Sequence, residues 1–260
     1  MRTQRGSSAL SKLPGTEVLG CRIAALGWRE VLDLIAGWAD RRESRYVCVG
    51  NVHMVVTAQQ DSDLAAAMQL ADMATPDGAP VAWMLRRLGF PNQARISGTE
   101  LMLAYCREAA GRAEPVFLLG STEETLRKLT NALGELVPGL VIADTFSPPF
   151  RTLSDDEDAA IVARINASGA RTVWVSLGCP KQEIWMLAHR ERVQAVMIGV
   201  GAAFDFVAGS KPRAPLWMQQ AGLEWLHRLA SEPDRLWRRY LITNSAFVIG
   251  AAKQLLFGRR

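Results

Sequence analysis

Apolar residues recur along this chain in two rhythms, short unbroken runs and stretches spaced three to four apart, and the two alternate. Val18–Ala24 reads as a short strand, and Trp28–Trp38, with Val31, Leu32, Leu34 and Ile35 at helical spacing, as a helix. Tyr46–Gly50 is a buried-type strand running into Asn51-Val52-His53-Met54, a strand-to-helix junction. Helical runs are predicted over Leu64–Leu70, Val81–Leu88, Leu101–Ala110, Ile161–Ile165 and Ile184–His189. Further strands are predicted at Pro115–Gly120, Val141–Ala143, Thr172–Gly178 and Val196–Gly201. Alternation of this kind predicts a Rossmann-like α/β fold, a mainly parallel sheet with helices on both faces. The rhythm changes near Gly209-Ser210-Lys211-Pro212-Arg213-Ala214-Pro215, beyond which the pattern is helical and rich in Trp and Arg. The expected organisation is a mobile N-terminus over residues 1–16, an α/β core over 17–210, and a helical C-terminal appendage over 211–260.

Composition narrows the picture only a little. A chain of 260 residues that is 49% hydrophobic and 22% charged has the make-up of a globular protein with an ample core. Its net charge of +4 is small but uneven, since from Arg228 onward Lys and Arg outnumber the two acids, Glu232 and Asp234. Such a basic end suits an anionic partner. Cys21, Cys48, Cys106 and Cys179 lie far apart with no CxxC, which reads as buried thiols in a reducing compartment. His53, His189 and His227 show no metal-ligand spacing, and no run of apolar residues is long enough to span a bilayer. The expectation is a protein with no metal and no cofactor. No signal-peptide pattern is read at the start.

Thr75-Pro76-Asp77-Gly78-Ala79-Pro80 separates two helical patterns and reads as a tight connection, with Pro and Gly setting the backbone around a single carboxylate. Apolar neighbours would desolvate Asp77 and raise its pKa toward use as a base; the local sequence by itself favours the other reading, a cap on the helix that follows, since Asp-Gly turns are common. Asn51, just past a strand, is placed either to touch a ligand or to cap a helix. Asp61-Ser62-Asp63 matches a metal-binding DxD but opens a helical run without following a strand, so it reads as a helix start. Arg95, before Ser97-Gly98 and a helix, suits a phosphate. Gly178-Cys179-Pro180-Lys181-Gln182-Glu183 presents backbone amides, Lys181 and Gln182 beside a strand end, chemistry that fits a diphosphate or a uracil ring, with Glu183 equally a partner of the helix dipole. Gly199-Val200-Gly201 begins a dinucleotide fingerprint but lacks the third glycine and the acid that would bind ribose.

Taken together, Pro76-Asp77-Gly78, Arg95-Ile96-Ser97-Gly98, Gly178–Glu183, Gly199–Asp205, and Gly222–Arg228 followed by Glu232–Arg235 resemble the WecG/TagA/CpsF glycosyltransferases in order and spacing, from about Val18 to Tyr240. The resemblance implies an inverting, metal-independent transferase that moves N-acetylmannosamine, its uronic acid or a hexose. The implied donor is a UDP-sugar and the implied acceptor an undecaprenyl-diphosphate-linked sugar, in cell-surface or exopolysaccharide biosynthesis. It implies Asp77 as general base, Asn51, Arg95 and Gln182 as substrate-binding residues, and Arg228, Arg235 and Arg238 as diphosphate-holding arginines of the appendage; Lys181 joins the substrate-binding set on the chemistry of its own turn. It also implies a cytoplasmic enzyme, peripheral on the inner membrane, and leaves room for a homo-oligomer. Val49 departs from the family pattern, which often has Thr there; Cys179 and the Ser147–Arg151 loop resemble the exopolysaccharide branch.

The residues are consistent with that chemistry. A carboxylate deprotonates an acceptor hydroxyl, and without a metal, guanidiniums stabilise the departing diphosphate. Tail tryptophans and arginines suit a membrane surface. Two readings from other classes stand beside it: a Rossmann-like nucleotide-dependent oxidoreductase, and a basic-tailed protein that binds lipid or nucleic acid. The transferase reading expects no nucleic acid.

Overall fold

The computed structural model describes residues 13–258. The chain opens with an antiparallel hairpin, β1 (Gly15–Val18) and β2 (Cys21–Ala24). This replaces the single strand expected over Val18–Ala24. Leu19 and Gly20 both take positive φ, 51° and 84°, and reverse the chain in two residues. Composition alone hid the turn, because Leu is a poor candidate for that conformation. Most of the N-terminus expected to be mobile lies outside the described residues, and its last two residues, Gly15 and Thr16, are in β1.

After α1 (Trp28–Asp40) comes β3 (Arg45–Gly50), buried over its last five residues. Then follow α2 (Val52–Thr57), α3 (Ser62–Leu70) and β4 (Met73–Pro76). β4 was not expected: its four residues are too few to show alternation, and all four are buried. The stretch before Asp77 is therefore a strand rather than a helix-to-helix connection. Pro76 is tolerated because it closes a strand at the sheet's edge. The chain continues through α4 (Ala79–Arg87), α5 (Gly98–Gly111), β5 (Val116–Gly120), α6 (Glu123–Leu136), β6 (Ile142–Phe146), α7 (Asp155–Ala167), β7 (Thr172–Ser176), α8 (Lys181–His189) and β8 (Val196–Gly199). It ends in α9 (Ala203–Val207), α10 (Leu216–Gln220), α11 (Glu224–Ser231) and α12 (Pro233–Phe257). Local chemistry starts several of these helices. Asp61 caps α3, accepting from Asp63 and Leu64 N–H at 3.1 and 3.0 Å, so the DxD is a helix start as expected. Thr122 caps α6, and Ser154 with Glu157 forms a capping box on α7.

Six strands form one parallel sheet in the order β4-β3-β8-β7-β5-β6, flanked by helices, which is the Rossmann-like α/β class expected. Contacts divide the chain into two compact units, with β3 passing from one to the other after Cys48. One unit comprises the chain up to Trp28, Val49–Ser97 and the segment from Pro212 on. In it α12 packs on α2, burying Leu236, Phe247 and Ala251. Gln254 ties the helix to the hairpin, accepting from Leu19 N–H at 2.9 Å and donating to the Glu17 carbonyl at 2.7 Å. The other unit, Arg29–Cys48 with Gly98–Lys211, contains the buried strands β5, β7 and β8. Trp174 and Tyr105 pack there with ring centroids 5.8 Å apart, and the Tyr105 hydroxyl donates to buried Glu114 at 2.7 Å. None of the four cysteines is in a disulfide; three are buried and Cys179 is half-buried. Among the described residues no helix is long and apolar enough to cross a membrane.

Candidate active site

Asn51, Asp77, Lys181 and Gln182 each follow the carboxyl end of a parallel strand, and Arg95 directly precedes Ile96, whose N–H bonds to Pro76, the last residue of β4. Ligands of open α/β sheets bind at such ends. In the first unit β3 leads to Asn51 and β4 to Asp77. The Asp77 N–H donates to the Gly50 carbonyl at 2.9 Å, and the Ile96 N–H donates to the Pro76 carbonyl at 2.9 Å. These two bonds join Asn51, Asp77 and Arg95, which lie up to 44 positions apart by their residue numbers, into one cluster.

Asn51 is the N-cap of α2, its Oδ1 accepting from Met54 N–H at 3.1 Å. The capping role that its sequence left open is therefore real, and it uses one lone pair of Oδ1, so a ligand contact can use the second lone pair or the Nδ2 amide. Asp77 is half-buried and precedes the cap position of α4, which is Gly78 at φ 85°. Glycine is suited to that left-handed conformation, and it lets the chain turn directly after the carboxylate. His53, one position into α2 beyond Val52, is held neutral: burial first, then the charge of Arg239, pushes its pKa down to about 4.

Arg95 is not an open phosphate seat. Its Nη1 donates to Glu224 Oε2 at 2.8 Å, and Glu224 Oε1 lies 3.9 Å from Arg213 Nε. The Glu224 turn presses on the Asp77 turn, since a Cβ on Gly222 (φ 73°) would come 2.7 Å from the Ala79 Cβ. Neither Arg213 nor Glu224 was singled out by sequence reasoning as a site residue. Of the appendage arginines, Arg228 is half-buried on α11. Arg238 is exposed on α12 with its guanidinium carbon 5.1 Å from the Trp237 ring centroid. Arg235 lies in α12, and its side chain is outside what the structure describes. α11 ends at Ser231 and Pro233 opens α12, so the appendage arginines lie on two helices. The appendage charge felt at α2 belongs to Arg239, which sequence spacing did not select.

In the second unit β7 leads through a cis Cys179–Pro180 bond into α8. Lys181 is exposed, whereas Gln182 and Glu183 are buried. The Gln182 Nε2 donates to Glu183 Oε1 at 2.5 Å. Burial pushes the Glu183 carboxyl up to about 7, against the opposing hydrogen bonds from Gln182, its own backbone and Cys179. A solvated first-turn acid would show no such environment, so Glu183 is more than a dipole partner. The glycines after β8 have a local reason. A Cβ on Gly199 would meet Met186 Cε at 2.7 Å and Gln182 Nε2 at 3.2 Å, and Gly201 (φ 52°) faces the same side chain. They make room for Gln182, which accounts for a Gly-x-Gly without the rest of a dinucleotide fingerprint.

The first unit offers the half-buried Asp77 carboxylate, the Asn51 amide and the Arg95 guanidinium beside the ends of β3 and β4, chemistry suited to activating a hydroxyl and holding an anionic leaving group. A profile of the glycosyl transferase WecG/TagA/CpsF family matches residues 16–260, nearly the whole chain. The protein belongs to this family and is a glycosyltransferase of cell-surface polymer biosynthesis, acting between a sugar donor and an acceptor.

Proposed function

We propose that the protein transfers a sugar with inversion from a UDP-sugar to an undecaprenyl-diphosphate-linked acceptor, with Asp77 as general base. The observation that carries this reading is the cluster of Asn51, Asp77 and Arg95, joined by the main-chain hydrogen bonds at Gly50 and Pro76. The Asp77 carboxylate takes the proton of the acceptor hydroxyl. The acceptor oxygen bonds to the anomeric carbon as the bond from that carbon to the diphosphate oxygen breaks. The electron pair leaves with UDP, whose growing charge falls to arginines, which are always ionised and bind phosphate bidentately. Arg95, Arg228, Arg235 and Arg238 are the arginines assigned to it, with Lys181 and Gln182 toward the donor's uridine diphosphate and the Asn51 amide toward a substrate hydroxyl. No metal is required in this scheme: the arginines meet the diphosphate's charge, and Asp61 of the Asp61-Ser62-Asp63 DxD is spent capping α3.

The appendage, taken as 211–260, is assigned to the membrane face. On α12 Trp237, Leu241, Ile242, Val248 and Ile249 are exposed apolar residues, and α10 adds exposed Leu216 and Trp217. Apolar side chains beside arginines favour the interface of an anionic bilayer, consistent with a peripheral enzyme on the cytoplasmic side and with an exopolysaccharide role. The reading is tested by incubating the purified protein with a panel of UDP-sugars and a prenyl-diphosphate-sugar acceptor. Transfer from one of them, with inverted anomeric configuration in the product, is the expected result. No transfer from any UDP-sugar, or a retained configuration, overturns it.

A further inference from the structure

Arg95 and Arg213 come from distant parts of the chain, one from the loop after α4 and the other from the segment before α10. Between them stands one carboxylate, each of its oxygens turned to a different guanidinium. The three side chains are 19%, 24% and 22% exposed for Arg95, Arg213 and Glu224, so solvent screens them only in part. Glu224 sits in the first turn of α11, where an acid ordinarily complements the helix dipole from solvent. Its side chain instead spans two cations. Gly222, two residues earlier, packs on Ala79 immediately after the Asp77-Gly78 turn, which brings this carboxylate to the base's own turn.

We infer that Arg95 and Arg213 form a diphosphate seat, and that Glu224 occupies it as an internal anion that the substrate's diphosphate displaces. A carboxylate held between two guanidiniums shares with a phosphate group the sign of its charge and the paired acceptor oxygens that a guanidinium fork binds. A diphosphate brings more negative charge and more acceptor oxygens than one carboxylate, so it competes for the same donors. Displacing Glu224 releases the Gly222–Glu224 turn from Arg95, which couples diphosphate binding to the position of α11. The inference rests on the proposed diphosphate chemistry of this site and adds to it Arg213 as a binding residue and Glu224 as a competitor.

Calorimetric titration of the full-length protein with UDP and, separately, with farnesyl diphosphate tests it. Glu224→Gln keeps the side chain's shape and removes its charge. It should tighten binding of at least one of the two by roughly fivefold, the scale of a partly exposed ion pair. Arg213→Ala should weaken that same ligand by a similar factor. A gain for UDP places the donor in the seat; a gain for farnesyl diphosphate places the lipid-linked acceptor there. Unchanged or weaker binding of both ligands by folded Glu224→Gln overturns the inference. Should that variant not fold, Arg213→Ala decides alone, and unchanged affinity for both ligands overturns it. Tighter diphosphate binding without transfer between a UDP-sugar and the prenyl-diphosphate-sugar acceptor would leave the seat standing and remove the proposed donor and acceptor, whereas such transfer with unchanged affinities would do the reverse.

Discussion

The amide of Asp77 donates to the carbonyl of Gly50 at 2.9 Å, so the carboxylate-bearing turn after β4 is pinned to the end of β3, one residue before Asn51. Backbone hydrogen bonds hold this relationship, and side-chain substitutions at Asp77 leave them in place. Asp77→Asn should therefore fold and melt like the wild type while losing transfer by ~100- to 10,000-fold, the usual contribution of a general base. Steady-state turnover beside a thermal melt checks both halves. A folded Asp77→Asn enzyme with normal turnover would remove Asp77 from the mechanism.

Chelation gives an independent check on the role of the DxD. Since Asp61 spends its carboxylate on α3 N–H groups, transfer should proceed undiminished in EDTA. Loss of activity in EDTA with recovery on adding Mg²⁺ or Mn²⁺ would mean that Asp61 and Asp63 serve a metal after all.

Gly199→Ala should disturb the site through Gln182. The added Cβ would come 2.7 Å from Met186 Cε and 3.2 Å from Gln182 Nε2, so one of those side chains must move. Overpacking of this kind costs about 1–3 kcal/mol of stability. UDP affinity should fall with it, and unchanged Tm and UDP binding would show that the pocket around Gln182 yields freely.

The buried Glu183 gives a pH signature. Its folded pKa of about 7 stands above the ordinary value of 4.5, so between those pH values the native state binds more protons than the unfolded chain. Stability contributed by this group is therefore lost as pH rises through that window and is flat above it. The full effect is of order 3 kcal/mol. Glu183→Gln should melt higher than the wild type at pH 8 and lose that advantage near pH 4.5. Parallel thermal melts across the window test this, and parallel Tm curves for the two proteins would contradict it.

At the C-terminus, the buried and exposed faces of α12 carry different predictions. Leu236, Phe247 and Ala251 are buried, so Phe247→Ala should cost about 3–5 kcal/mol as a core truncation does. Leu241 and Ile242 are exposed, so their replacement by Ser should leave Tm unchanged while weakening co-sedimentation with anionic liposomes. Arg228→Ala or Arg238→Ala should lower turnover more than liposome binding, because a leaving diphosphate gains charge only in the transition state. Full liposome binding by the Leu241→Ser, Ile242→Ser pair would place the membrane contact elsewhere, and full turnover in both arginine variants would take them out of catalysis.

What the amino-acid order determined by itself was local and periodic. Alternating apolar rhythms set the α/β class, Thr122 starts its helix, and Asp61 reads as a cap, because each depends on residues within a few positions of one another. The motifs around Asp77, Arg95 and Gln182 were legible as a family's combination, and Asp77 as a carboxylate in a rigid turn. Tertiary structure alone decided the rest. β4 is a strand because its four residues are buried at the edge of a sheet, an environment that no window of sequence contains. Gly199 and Gly201 answer to a glutamine that precedes them by more than fifteen positions. Glu183 differs from a solvated helix-start acid only in being fully buried, and burial is what moves its proton affinity. The pairing of Arg95 with Glu224 spans 129 positions. Charges attract through space without regard to distance along the chain, so only the folded arrangement reveals which guanidinium holds which carboxylate.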